Sequence, residues 1–119
     1  MAQQFIAQQL AEHAAGKTIA LVARVPHRVR SYADQVVRAT GSVALNLSEG
    51  FGRLGKDKQY HYSVAYASAR EASSALRILV ASGSVPEAAV AEVERLLDQV
   101  RAIAWRLVRP YPSRSTETV

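Results

Sequence analysis

The 119-residue sequence predicts an all-α fold, an antiparallel up-down-up-down four-helix bundle. Three observations predict it. Helix-forming residues dominate, alanine foremost, and β-branched runs are short. Four long segments repeat apolar residues at intervals of three and four, the spacing of one helical face. Between them stand residues that start or stop helices: Pro26, Gly50 with Gly52, and Pro86.

The first helix is expected over about 2–25, with Ile6, Leu10, Ala14, Leu21 and Val25 near heptad spacing. Gly16 weakens its middle, and Pro26 stops it by disfavouring helix in the preceding residue. The second is expected over 31–49. Ser31-Tyr32-Ala33-Asp34 has the form of a capping box, and Gly50 and Gly52 close the helix. The third, over 56–81, has an inner stripe of Ala65, Ser68, Ala72, Ala75 and Leu79, small enough for a neighbour to approach closely.

Ser84-Val85-Pro86-Glu87 opens the fourth, over 85–109, with serine as cap and proline in the first turn. Val90, Val93, Leu97, Val100, Ala104 and Leu107 then alternate threes and fours, as at a bundle seam. Its acids lie early and its arginines late, matching the helix dipole. Helices of about 20 residues are each about 30 Å long, and short connections set neighbours antiparallel. The expected organisation is one bundle over 1–110 and a disordered tail over 111–119, YPSRSTETV.

The absence of cysteine excludes disulfides and thiolate metal sites, and suits a reducing cytoplasm. No apolar run approaches the roughly 20 residues of a membrane span, and MAQQFIAQQLAEHAAG lacks the basic start of a signal peptide. A cytoplasmic protein without a membrane partner is expected. The formal net charge is +5, and every cation except Lys17, Lys56 and Lys58 is arginine. Arginine carries a planar fork of donors suited to phosphate or carboxylate, although a charge of this size also serves solubility.

Gly50-Phe51-Gly52-Arg53-Leu54-Gly55 spells the G-x-G-x-x-G of a dinucleotide-binding loop, with Glu71 about 20 residues on. That reading needs a buried strand before the first glycine. Ser42 to Leu47 does alternate, but at 100° per residue Val36, Ala39, Thr40, Val43, Ala44 and Leu47 share one side. Gln35, Arg38, Ser42, Asn46, Glu49 and Arg53 gather in an arc of roughly 80° opposite. A strand would scatter both sets, and the rest of the chain lacks the strands of a nucleotide-binding sheet. The glycines read as helix terminators instead.

That polar stripe and its turn, Gln35-x-x-Arg38-Ala39-x-x-Ser42-x-x-x-Asn46-x-x-Glu49-Gly50-x-Gly52-Arg53, resembles the signature of the four helix bundle protein family. The family is also called the 23S rRNA-intervening-sequence or S23 family. Pro26 matches its proline before the second helix, and Ala65-x-x-Ser68-x-x-Glu71 is similar to its third-helix pattern. The resemblance runs from Pro26 to Leu79. The first helix lacks the aromatic and basic residues usual near the family's start, and the fourth is generic.

The resemblance implies a cytoplasmic bundle that assembles into rings, commonly pentamers, with no enzyme activity. A related branch, the accessory proteins of diversity-generating retroelements, implies basic pentameric barrels that bind a reverse transcriptase and nucleic acid. The expected partners are therefore further copies of the chain, RNA or DNA, and a reverse transcriptase or other nucleic-acid enzyme.

Leu45 among short polar residues makes the stripe a candidate subunit contact, against the plainer reading of a solvated face. The candidate motif residues are Gln35, Arg38, Ser42, Leu45, Asn46, Glu49, Gly50, Gly52, Arg53, Ser68 and Glu71. Glu49 in the last turn needs a cation, and Arg53 is the nearest; Glu71 can pair with Arg70, Arg77 or Arg38. The candidate nucleic-acid contacts at one pole are Arg53, Lys56, Lys58, Arg101, Arg106 and Arg109. A second cluster at the other pole is Arg24, His27, Arg28 and Arg30. Tyr60, Tyr62 and Tyr66 stand beside Lys56 and Lys58, where bases could stack.

His13, His27 and His61 show no metal-ligand spacing, and no serine has an evident histidine and acid partner. No catalytic residue, cofactor or metal is expected. The function expected is a non-enzymatic, oligomeric bundle binding nucleic acid through arginine-rich rims as an accessory factor. The alternative is a protein-interaction scaffold with no nucleic-acid role.

Overall fold

A computed structural model describes residues 2–108. Among them are four long helices: α1 (Ala2–Leu21), α2 (Arg30–Phe51), α3 (Gly55–Ala81) and α4 (Glu87–Val108). There is no strand among the described residues, and a 3-10 turn, His27–Val29, leads into α2. Each helix packs on its neighbours in the chain, and α4 also packs on α1. The expected helix over 31–49, on which the fold class depended, is continuous. Residues 42–47 lie inside it, so the dinucleotide-binding reading of the glycines has no strand to stand on.

The apolar stripes of α2, α3 and α4 face inward as their spacing predicts. Val36, Ala39, Val43, Leu47, Ala65, Ala72, Leu79, Val90, Leu97 and Val100 are all buried. Leu107 is only partly so. Each fully buried valine or leucine contributes roughly 1.5–3 kcal/mol. Alanines at the contacts of α1, α2 and α3 let the backbones come close, so the core is built largely of small side chains. Thr18 and Thr40 are buried as well, and their hydroxyls donate to Ala14 O at 2.7 Å and Val36 O at 3.0 Å.

In α1 the buried stripe is Ala7, Ala11, Ala14 and Thr18, offset by one from Ile6 and Leu10. Ile6 is exposed with Phe5 and Ile19. Apolar and polar residues are both spread around this helix, so periodicity could not choose a face. It ends at Leu21, four residues before the expected limit, and a turn carries the chain to Pro26. Proline thus acts on the 3-10 turn that follows, which it precedes in an extended conformation.

The helix starts also differ from the sequence signals. Val29 is the N-cap of α2 and no side chain caps it, so Ser31 is helical and its capping box does not form. The Ser84 hydroxyl meets that of Ser82 at 2.7 Å instead of the first turn of α4. The α3–α4 turn is made by Gly83, whose φ of +78° suits a residue without a Cβ. The tail over 111–119 and Arg109 lie outside the described residues. Among the described residues no helix is long and apolar enough to cross a membrane.

Candidate functional site

The polar stripe of α2 is a hydrogen-bonded ladder that crosses to α3. His61 Nδ1 lies 2.9 Å from Asn46 Oδ1, and Asn46 Nδ2 donates to Ser42 Oγ at 3.1 Å and Ser42 O at 2.9 Å. Ser42 Oγ in turn lies 2.9 Å from Ser68 Oγ. Ser68 is buried, while Ser42, Asn46 and His61 are half-buried. Ser42 and Asn46, poor helix formers, thus hold places that alanine could not fill: they fix α2 against α3. His61 belongs to this ladder although its lone occurrence carried no signal; its pairing with Asn46 is visible only once the helices are laid side by side.

Around the ladder the stripe is open. Arg38 Nη2 donates to Gln35 Oε1 at 2.8 Å, and neither reaches α3. Leu45 is 71% exposed, an apolar side chain standing among polar ones. Glu71 is exposed and forms no ion pair among the described residues; Arg77, one of its expected partners, goes to Glu87 at 2.8 Å and Glu94 at 3.8 Å. Arg38 and Arg70 are likewise without an acid.

At the end of α2 the expected Glu49–Arg53 pair forms. Arg53 Nη2 and Nε donate to Glu49 Oε2 at 2.6 and 3.0 Å, and Nη1 donates to Asp57 Oδ2 at 2.8 Å. The Arg53 guanidinium holds the Glu49 carboxyl below its usual range, by hydrogen bonding first and charge second. Gly50 does not end the helix but lies inside it, buried against the ring of Tyr62. Gly52 is the C-cap with a φ of −88°, and the positive φ of this turn, +58°, belongs to Gly55. Only Gly55 in this group needs the freedom of glycine for its backbone.

The cations of this pole are mostly engaged. Arg53 is committed to two carboxylates, and Arg101 donates to Asp98 at 2.7 Å. Lys58 Nζ donates to the terminal carbonyls of α2, Gly50 O at 2.9 Å and Phe51 O at 3.3 Å. That is a C-terminal cap, with the charge at the negative end of the dipole. Lys56 and Arg106 are exposed and form no ion pair among the described residues. At the α1–α2 end Arg24 and Arg28 are exposed, Arg30 is half-buried, and none of the three has an acidic partner among the described residues.

Of the three tyrosines, Tyr60 is exposed, while Tyr62 is a core residue at 1% exposure and cannot stack a base. Its hydroxyl is buried with no hydrogen-bond partner, and burial pushes its pKa up. Tyr66 packs instead on Trp105, centroids 5.6 Å apart and planes at 48°. Trp105 was not singled out from the sequence; the signal available there was an aromatic residue off the seam of α4, between arginines at 101 and 106. Among the described residues no three His, Asp or Glu side chains are grouped to hold a metal ion.

The fold and this ladder define a four-helix bundle whose second and third helices are joined by a polar seam. The family model described as 23S rRNA-intervening sequence protein matches residues 3–105. The chain belongs to that family. The match spans all four helices, including α1 and α4, outside the segment that carries the motif. No curated protein matches the chain.

Proposed function

We propose that the chain is a non-enzymatic, homo-oligomeric bundle of the cytoplasm that binds RNA or DNA through arginine-rich rims. Its role would be accessory to a nucleic-acid enzyme such as a reverse transcriptase. The observation that carries the reading is the charge at the α1–α2 turn. Arg24, Arg28 and Arg30, with His27 beside them in sequence, form no ion pair among the described residues. Guanidinium groups free of acids are available to phosphate without first breaking an ion pair.

Assembly gives such a cluster its effect. In a ring, with a pentamer favoured, each subunit repeats the cluster around a rim, and linked weak contacts bind far more strongly than one. Neighbouring helices running antiparallel, as Asn46 against His61 and Ser42 against Ser68 support, keep the α1–α2 and α3–α4 turns at one end. Leu45 at 71% exposure favours the stripe as the subunit contact.

Binding to labelled RNA and DNA across a salt series tests this. Affinity is expected to fall steeply with salt, and Arg28→Glu with Arg30→Glu to weaken binding at every salt. Light scattering is expected to give a mass above that of one chain. Undetectable or salt-insensitive binding would overturn the nucleic-acid role.

A second reading, a protein-interaction scaffold, is favoured by Phe51 and Leu54, 46% and 84% exposed beside Glu49, Arg53 and Asp57. An apolar centre with a charged border suits a protein partner. That partner would be retained by the arginine variants, which separates the two readings.

A further inference from the structure

The starts of α1 and α3 meet the end of α4 around a cleft of about 370 Å³. Its wall is mostly apolar, with Tyr62 and Leu107 in it. The polar groups that interrupt it are the carboxamides of Gln3, Gln4 and Gln59 and the cations of Lys58 and Arg106. A cavity of this size, apolar with a few polar groups converging on it, has the make-up of a small-molecule site.

The charge of its surroundings points to an anion. No carboxylate lines the cleft. Lys58 is spent on the carbonyls of Gly50 and Phe51, whereas Arg106 is exposed and forms no ion pair among the described residues. The N-cap of α3, Leu54, makes no side-chain capping bond, so the first-turn N–H groups and the positive end of the dipole are open here. Asp57, the acid of that turn, is held by Arg53 Nη1 at 2.8 Å.

Tyr62 supplies an independent observation. Its side chain is 1% exposed, and its hydroxyl is a buried polar atom without a hydrogen-bond partner. The Cδ1–Cε1 edge of the ring lies against Gly50 of α2, and the residue also lines the cleft. A buried hydroxyl left unpaired is costly, and a polar ligand atom in the cleft would satisfy it.

We infer that this cleft binds a small amphiphilic anion, a carboxylate or phosphate carried on a short apolar body. The Arg106 guanidinium meets the anionic group, a fork of donors against two oxygens. The three carboxamides and the Tyr62 hydroxyl take further hydrogen bonds, and the apolar body lies along the wall that includes Leu107. Such a ligand requires no nucleic acid, so the site stands or falls apart from the basic rims.

Hexanoate, hexyl phosphate, hexanol and hexylammonium are titrated separately into the full chain, and its amide NMR shifts are followed. The two anions are expected to move the side-chain amides of Gln3, Gln4 and Gln59, with a Kd on the order of 1 mM. Hexanol and hexylammonium are expected to bind at least about tenfold more weakly. Arg106→Gln is expected to raise Kd for the anions about tenfold and to leave that for hexanol unchanged. Tyr62→Phe removes an atom that has no partner in the free chain, so it is expected to keep the fold and to raise Kd about threefold.

If only one of the two anions binds, the site takes that headgroup alone and the inference stands. Hexanol binding as well as the anions, shifts confined to another part of the chain, or a Kd that Arg106→Gln leaves unchanged overturns it. So does the absence of shifts with every probe at millimolar concentrations. Should Tyr62→Phe unfold, the Arg106→Gln comparison still decides, since that side chain is exposed.

Discussion

The ring of Tyr62 on α3 lies directly against Gly50 on α2, so that a Cβ built on the glycine would fall 2.6 Å from Tyr62 Cε1. Real Cβ atoms do not sit so close to a ring carbon, and His61 Cβ at 3.3 Å blocks retreat on another side. Gly50→Ala therefore forces α2 and α3 apart or turns Tyr62 out of the core. Overpacking of this kind costs about 1–3 kcal/mol, more than the roughly 0.5–1 kcal/mol that alanine adds to a helix interior. Gly41, also within α2, has nothing within 4 Å of the place a methyl group would take, so Gly41→Ala is expected to stabilise by the propensity alone. Urea unfolding of the two variants is expected to move the midpoint in opposite directions.

The Ser42–Ser68 bond gives a second, sharper expectation. Ser68 is 7% exposed, so Ser42→Ala leaves its hydroxyl without its partner in a nearly dry place. An orphaned polar group costs about 1–3 kcal/mol, whereas removing both partners is close to neutral. The double variant is thus expected to be more stable than the sum of the two single variants implies, with a coupling of about 1 kcal/mol in a double-mutant cycle. A coupling of zero would show that water replaces the bond.

The expectations from sequence fared according to what they drew on. The stripes of α2, α3 and α4 were legible because apolar and polar residues divide cleanly around those helices, Val43 and Leu47 on one side and Ser42 and Asn46 on the other. In α1, apolar and polar side chains are not segregated, which left Ile6 and Ala7 equally eligible, and packing chose the smaller. The Glu49–Arg53 pair was legible because its partners are one helical turn apart. Glu71 and Arg77 were not, since Arg77 reaches Glu87 on the next helix, a contact that only the docking of α3 on α4 creates. Gly50 was assigned a conformational role where its reason is steric, because sequence gives no sight of the Tyr62 ring.

The Glu49 carboxyl titrates below its usual range because Arg53 donates two hydrogen bonds to it. A folded-state pKa below that of the unfolded chain, about 4.3, gives stability that is present above that value. It is lost as the pH falls through the depressed folded value. Glu87 beside Arg77 and Glu92 beside Lys17 contribute with the same sign. Side-chain NMR titration of Glu49 is expected to give a midpoint below that of a free glutamate, and Arg53→Ala to return it upward. High salt should do so in part, since the pair is exposed. An unchanged Glu49 midpoint in Arg53→Ala would remove this source of acid sensitivity.

Lys58 and Lys56 stand two residues apart at the start of α3 and are expected to behave differently. The Lys58 ammonium donates to Gly50 O and Phe51 O, and lies 5.4 Å from the centre of the Tyr62 ring, so it closes the end of α2 over a core residue. Lys58→Met keeps the length of the stem but removes the donor from two helix-terminal carbonyls. Loss of about 0.5–1.5 kcal/mol of stability is expected, with faster amide exchange in the last turn of α2. Lys56 is exposed and has no ion pair among the described residues, so Lys56→Met is expected to change stability by less than about 0.5 kcal/mol. Equal stability losses in the two variants would mean that Lys58 is a surface charge like its neighbour and that the end of α2 is held by Gly52 N–H to Glu49 O, at 3.1 Å, without it.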